Sequence, residues 1–288
     1  MILKTTAQKE YELLDSGMGQ KLERYGKYMI VRPDPEALWK KTLSEDVWKK
    51  AELEFIRNAN RTKWNVKEGT PRIWDISYGD LAFSIRPNSF KHTGLFPEQL
   101  PNWDWTRDLI KKNIKNRQIS VLNLFAYTGG ATLACAQAGA EVCHVDGSKT
   151  AVAWARDNAL LSGLKDAPVR WIVDDCLMFL KREIKRGHKY DAIIMDPPSF
   201  GHGPKDELWK IEVHFLELMD LCKQILSDDP LFIIINGYTA GYSPIAYENN
   251  LKDMVGNHGG KIEIGELTIE ESNRDRLLPC GIFARWSK

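Results

Sequence analysis

The sequence predicts an α/β protein: an open, mostly parallel sheet with helices on both faces, preceded by a small β-rich α+β domain. Three observations carry that prediction. From Val121 onward, apolar runs alternate with amphipathic stretches five times, the pattern of repeated βα units. Before Val121, short runs of alternating polarity are punctuated by glycine turns. Apolar residues make up 43% of the chain and charged residues 27%, enough for a sizeable core and far from disorder.

The elements follow in order. In "YELLDSGMGQKLERYGKYMIVRPD", Gly17 and Gly19 fall in turns between alternating apolar positions, which predicts a hairpin or meander. "EALWKKTLSEDVWKKAELEFI" places Leu38, Trp39, Leu43, Val47, Trp48 and Leu53 at helical spacing, which predicts a helix. "PRIWDISYGDLAFSIRP" predicts a second hairpin turning near Tyr78-Gly79-Asp80. Then come VLNLF, EVCHVD, VRWIVD, DAIIMD and LFIIIN, each followed by a helical stretch. "KIEIGELTIEE" and "GIFARW" are strands joined by a loop, which predicts an antiparallel hairpin at the sheet edge. The domains expected are residues 1–90 and 91–288. Of ten tryptophans, six precede Val121. Trp39, Trp48 and Trp64 suit a small domain's core, and the less periodic Trp103 and Trp105 leave one of the pair for the surface.

Composition narrows the class of function. No apolar run approaches the roughly 20 residues of a membrane-spanning helix, and the opening "MILKTTAQKEYELL" is no signal peptide, so the cytoplasm is expected. Cys135, Cys143, Cys176, Cys222 and Cys280 form no CxxC pair, which speaks against a disulfide framework or a zinc site; no metal is expected. In that compartment the sequon at Asn60 carries no meaning. Lys and Arg number 22 against 16 Asp and Glu before Val121, and 18 against 23 after it. A basic front end suits phosphates, though a solvated surface explains it as well.

Ligands of open α/β sheets bind at the carboxyl ends of the strands. There "NLFAYTGGAT" supplies Gly129 and Gly130, which let the backbone turn and approach a ligand. Asp146 closes the next strand, placed to accept from ribose hydroxyls. At the third strand end, Asp175 and Cys176 are placed to read an adenine edge by carboxylate and backbone N–H. The dinucleotide pattern GxGxxG is absent, and Ala126 and Tyr127 crowd the helix N-terminus, a poor cradle for pyrophosphate. A cofactor with ribose and adenine but no phosphate fits better, and S-adenosyl-L-methionine (SAM) is the candidate.

"VLNLFAYTGGATLACAQAGAEVCHVDGSKTAVAWARDNALLSGL" resembles the SAM-binding half of the class I methyltransferases. "KHTGLFPEQ" and "DPPSF" are similar to two further segments of one branch, that of the large-subunit rRNA cytosine-C5 methyltransferases and their guanine-N-methylating relatives. The likeness spans residues 91–288; the first ninety resemble only the small β-rich domain of one subgroup. It implies a Rossmann-like seven-stranded SAM-methyltransferase fold with sheet order 3-2-1-4-5-7-6. It also implies that Thr93, Gly94 and Leu95 close over SAM. Phe125, Ala126, Tyr127, Thr128 and Gly129, with Asn123 on the strand before them, would line the methionine end. Asp146, with Gly147 and Ser148 beside it, would hold the ribose. RNA, specifically rRNA, is the substrate this resemblance implies.

"DPPSF" follows the fourth strand and sits beside the cofactor. Prolines fix φ and remove backbone donors, which leaves the Asp196 carboxylate and the Pro197 carbonyl as acceptors. Two acceptors can hold an exocyclic NH2 and aim its lone pair at a methyl group, with much of the rate coming from alignment. Phe200 can stack on a flipped base. Methylation at C5 of cytosine would instead need a cysteine nucleophile. In the resembling C5 enzymes that cysteine follows the fifth strand. Here the stretch is "LFIIINGYTAGYS", with Asn236, Gly237 and Tyr238 in its place. Base-nitrogen methylation is therefore the leading expectation. C5 methylation through Cys280 and a non-catalytic SAM- or RNA-binding module are the alternatives. Cys222 reads as core, His202 as a loop residue that can gate the cleft, and "KKNIKNR" (111–117) as a wet helix face or an RNA contact.

Overall fold

The computed structural model describes residues 1–58, 61–88 and 91–288; Asn60 lies outside them. The chain divides into two compact units, one formed by Met1–Leu3, Pro101–Glu266 and Gly281–Lys288, the other by Lys4–Leu100 and Leu267–Cys280.

Strand β1 (Ile2–Thr5) opens the chain. The smaller unit then builds β2 (Tyr11–Gly17), β3 (Gln20–Tyr25), β4 (Tyr28–Pro33), helix α1 (Glu45–Trp48), β5 (Leu53–Asn58) and β6 (Arg61–Val66). These five strands form one sheet in order 2-3-4-5-6. β7 (Trp74–Tyr78) and β8 (Leu81–Ile85) make a separate hairpin. Its two turn residues, Gly79 and Asp80, have φ of 57° and 62°, the left-handed pair of a type I′ turn. Glu23 is fully buried and ion-paired to Arg32 at 2.8 Å. Against its burial, Arg32 and then Lys21 hold the Glu23 carboxyl down to about 2.

The predicted helix over 36–56 shrinks to the single turn of α1. Tertiary hydrogen bonds replace helical ones: the Asp15 carboxylate accepts from the backbone N–H of Thr42 and Leu43 and from Trp48 Nε1. Trp39 Nε1 donates to the Ser16 carbonyl at 3.0 Å. Leu38, placed on the expected apolar face, is 88% exposed, and Leu53 and Phe55 enter a strand.

The larger unit carries α2 (Leu100–Asn113), β9 (Ser120–Leu124), α3 (Gly130–Gln137), β10 (Glu141–Asp146), α4 (Lys149–Leu161), β11 (Val169–Val173) and α5 (Cys176–Arg186). There follow β12 (Ala192–Met195), β13 (Phe200–His202), β14 (Leu208–Lys210), α6 (Ile211–Ile225), β15 (Phe232–Gly237), α7 (Pro244–Val255), β16 (Lys261–Glu270) and β17 (Leu277–Ser287). The sheet runs β11-β10-β9-β12-β15-β17-β16, the expected order, with β1 added beyond β16. The edge is thus β1 rather than the predicted hairpin: the Met1 amino group donates to the Ile264 carbonyl, and Glu266 N–H to that of Met1.

Alternation sorts the strands' side chains. Leu122, Leu124, Val145, Ile193, Met195, Ile233 and Ile235 face α5, α6 and α7, while Val121, Val142, Ala192, Ile194, Phe232 and Ile234 face α2 and α3. Both faces are covered, so central strands read as continuous apolar runs. Apart from Ala192, each such side chain fully withdrawn from water contributes about 1.5–3 kcal/mol. Trp103 is 4% exposed and Trp105 packs against Phe232, so neither takes the surface place expected for one of them. Among the described residues, no helix is long and apolar enough to cross a membrane.

Candidate active site

The turn after β9 is strained. Phe125 and Tyr127 have φ of 54° and 49°, and Gly129 has 87°. A left-handed non-glycine residue costs about 1–2 kcal/mol, and such strain gathers at functional sites. Several hydrogen bonds hold the turn. Ala126 N–H donates to the Val145 carbonyl, and Gly129 N–H to that of Ala126. Asn158 Nδ2 donates to the Thr128 carbonyl at 2.9 Å. Tyr127 N–H donates to Asp146 Oδ2 at 2.8 Å.

Asp146 ends β10 with both oxygens oriented: Oδ1 accepts from Ser148 N–H at 2.8 Å. Each oxygen keeps a second lone pair for a ligand hydroxyl. Burial raises the Asp146 pKa, and the Ser148 and Tyr127 N–H groups oppose that rise. Beneath the turn, Asn123 Nδ2 donates to Thr132 Oγ1 at 2.9 Å, and Thr132 Oγ1 shares a hydrogen bond with His144 Nδ1, also at 2.9 Å. Burial, then Arg156, pushes His144 down to about 3, which keeps the ring neutral. Asn123 is 3% exposed and faces this network.

The two glycines serve different ends. A Cβ on Gly129 would lie 3.1 Å from Ala155 Cβ, so α4 packs directly on the turn. A Cβ on Gly130 would lie 2.2 Å from Trp103 Cζ2. Gly130 therefore makes room for an indole of α2 and not for a ligand, which corrects the sequence reading. At the third strand end, Asp175 caps α5 by accepting from Met178 N–H at 2.9 Å. Cys176 is buried in the core, its thiol pKa driven far up by burial. Asp174 is ion-paired with Arg182.

"DPPSF" leads into the β13–β14 hairpin, where the sequence suggested only a loop. Asp196 N–H donates to the Leu124 carbonyl at 3.4 Å. Trp209 Nε1 donates to the Pro198 carbonyl at 2.6 Å, and Ile211 N–H to that of Ser199 at 3.1 Å. The Pro197 carbonyl accepts from no group among the described residues. Trp209 also packs on Phe125, ring centroids 4.9 Å apart. Phe200 is 54% exposed. His202 is paired with Asp206 at 2.8 Å. The hairpin tip reaches back to the acids: a Cβ on Gly147 would lie 3.4 Å from Gly203 Cα, and one on Gly203 would lie 3.2 Å from Asp175 Cβ.

The larger unit therefore gathers Phe125–Gly129, Asp146–Ser148, Asp175, Cys176, Asp196, Pro197 and Phe200 along one rim of one sheet. Thr93, Gly94 and Leu95 belong to the smaller unit. Thr93 and Leu95 are buried there, and Gly94 has φ of 95°. Asn236 Oδ1 accepts from Asn102 Nδ2 at 3.1 Å, and Asn102 Oδ1 from Arg285 at 3.2 Å, which ties that position into the scaffold. Cys280 also lies in the smaller unit. Burial, followed by the Glu98 carboxylate, raises its pKa far above the ordinary thiol range and holds it protonated. Sequence reading passed over Tyr247, whose hydroxyl is buried at the end of β15. A lone tyrosine in a helix offers no local signal of that placement.

The rim suits a nucleoside cofactor without phosphate: an oriented carboxylate for ribose, a strained turn without a phosphate cradle, and an acceptor segment one strand away. That defines a class of folds that transfer a group from a nucleoside cofactor. A profile of the S-adenosylmethionine-dependent methyltransferases matches residues 53–226. A crystal structure of a SAM-dependent methyltransferase from Agrobacterium tumefaciens is 38% identical, covering all of this chain and 93% of that one with a TM-score of 0.95. The ribosomal RNA large subunit methyltransferase K/L of Pseudoalteromonas atlantica is 27% identical over 89% of this chain and 36% of its own length. Its counterpart in Colwellia psychrerythraea is 30% identical over 71% of this chain and 30% of its own length. The chain thus spans about a third of the curated relatives it matches. It belongs to the S-adenosylmethionine-dependent methyltransferase family, and SAM is its cofactor.

Proposed function

We propose that the protein methylates a base nitrogen of RNA, with rRNA as the substrate class, in the cytoplasm. The observation that carries this reading is the carbonyl pattern after β12. The Pro198 and Ser199 carbonyls are satisfied internally, whereas the Pro197 carbonyl, beside the Asp196 carboxylate, accepts from no described group. A pair of acceptors next to a cofactor rim suits an amine better than a carbon. The names of the rRNA methyltransferases it resembles support the substrate class.

In this reading Asp146 holds the ribose hydroxyls, with Gly147 and Ser148 shaping its turn. Phe125–Gly129, with Asn123 buttressing them from below, hold the methionine end, and Asp175 with the Cys176 backbone reads the adenine. The N-terminal region, about residues 1–90, recognises substrate. SAM supplies an electrophilic methyl carbon, carried on a sulfonium that leaves as a thioether. The Asp196 carboxylate and the Pro197 carbonyl accept hydrogen bonds from the two amine N–H groups, which turns the nitrogen lone pair outward and fixes its line of attack. Once it carries the methyl group the nitrogen is acidic, and the Asp196 carboxylate would take the departing proton. Phe200 offers its exposed ring to the base.

The test is a nucleoside digest. Purified protein is incubated with methyl-labelled SAM and unmodified rRNA, and the labelled nucleoside is identified by mass spectrometry. Label on a nitrogen is expected, lost with Asp196→Ala. Label on C5 of cytosine would refute the acceptor reading, and absence of label despite cofactor binding would refute the RNA assignment.

A further inference from the structure

Tyr247 lies in the first turn of α7 and is 2% exposed. Its ring packs against Phe215, centroids 5.5 Å apart, and stacks on Tyr242 at 6.4 Å. Its hydroxyl oxygen is buried and meets no hydrogen-bond partner among the described residues. A buried polar group left without a partner costs about 1–3 kcal/mol. Phenylalanine would fill nearly the same volume without that cost, so the hydroxyl calls for a use.

The backbone is shaped around this oxygen. A Cβ on Gly237 would lie 2.4 Å from it, and 2.5 Å and 2.8 Å from two ring carbons. Gly237 has no left-handed φ, so the glycine is needed here for space. β15 pairs in parallel with β12 up to Ile235 opposite Met195. The hydroxyl therefore sits at the carboxyl rim, one strand over from Asp196. Burial, then the Asp196 carboxylate, then Tyr242, pushes the phenol up to about 12. It stays protonated near neutral pH and can only gain by donating to a carboxylate.

We propose that Tyr247 is a positioning residue whose hydroxyl donates to the Asp196 carboxylate in the cofactor-loaded protein and aims the other oxygen at the substrate amine. The inference rests on the role given to Asp196 above. A donor on one oxygen keeps the carboxylate ionised and stops it from rotating. The proton stays on Tyr247, which touches neither substrate nor methyl group.

The experiment is Tyr247→Phe, which keeps the ring and removes only the hydroxyl. Thermal stability should hold or rise, and affinity for S-adenosylhomocysteine should stay unchanged. On rRNA, kcat should fall about ten- to a hundredfold with little change in KM, the span expected for a hydrogen bond to a charged group. A second readout needs no RNA. Carbon-13 NMR of the Asp196 carboxyl, identified with Asp196→Asn, is followed through a pH titration with S-adenosylhomocysteine bound. The Asp196 pKa should rise by roughly one unit in the variant, because a donor to the ionised form has been lost. An unmoved titration overturns the proposal whatever the activity does. A kcat loss that comes with lower stability or weaker S-adenosylhomocysteine binding overturns it too, in favour of a packing role. If the wild-type protein methylates no RNA, the substrate reading fails and the carboxyl titration alone decides on Tyr247.

Discussion

Replacing Asp146 with asparagine should weaken cofactor binding far more than it weakens the fold. The carboxylate accepts from Tyr127 N–H on one oxygen and from Ser148 N–H on the other, both at 2.8 Å. A carboxamide keeps one acceptor and turns an NH2 toward the second N–H. The turn loses one of its two tethers, and the ribose loses a charged acceptor. A hydrogen bond to a charged group contributes about 1.5–3 kcal/mol. One such bond lost to the ribose, with some of the second N–H's distortion added, predicts an affinity drop of roughly 30- to 1,000-fold. The stability loss should be smaller, because burial already raises the Asp146 pKa and makes the charge costly in the folded protein. Calorimetric titration of S-adenosylhomocysteine into both proteins measures the first effect, and urea melts the second. An affinity within threefold of wild type, with the fold intact, would refute the assignment of the ribose to this carboxylate.

Three further outcomes are expected. Gly130→Ala drives a methyl into the Trp103 ring, 2.2 Å from Cζ2, and should destabilise the larger unit by about 1–3 kcal/mol; urea melts show whether Trp103→Leu in the same chain restores part of it. Phe200→Ala removes an exposed ring, so melting should hardly move while RNA binding, followed by filter retention, weakens about tenfold. Stability should fall as pH drops below about 6.5: His144 is held down to about 3 by burial and Arg156, so the unfolded chain takes up a proton there that the folded chain refuses. The loss is about 1.4 kcal/mol per pH unit for that one group, fading near pH 3, and His144→Gln should flatten it in urea melts between pH 7 and 5.

The sheet was legible because its strands are buried on both faces and bounded by turns. VLNLF, EVCHVD and DAIIMD announce themselves without partners, and Asp146 and Asp196 sit where those runs stop. The smaller unit was less legible. Its apolar residues at helical spacing between Leu38 and Leu53 reflect a loop pinned by Asp15 and a strand, not a helix face. The need for Gly130 and Gly237 was hidden as well, since each answers to an aromatic ring on another element, Trp103 or Tyr247. The β13–β14 hairpin escaped because its strands are only three residues each, too short for any periodicity.

The place of β17 has a consequence for how the chain is made. This strand runs from Leu277 to Ser287 and lies inside the sheet, between β15 and β16. β16 reaches the sheet only through it, and β1 only through β16. A growing chain can dock β9 to β15 as each leaves the ribosome, but that side of the sheet stays open until Ser287 has been added. Met1 must wait for a partner 263 residues away. Pairing over such a span is slow, so the exposed flank of β15, "FIIING", is the segment on which a chaperone would act during synthesis.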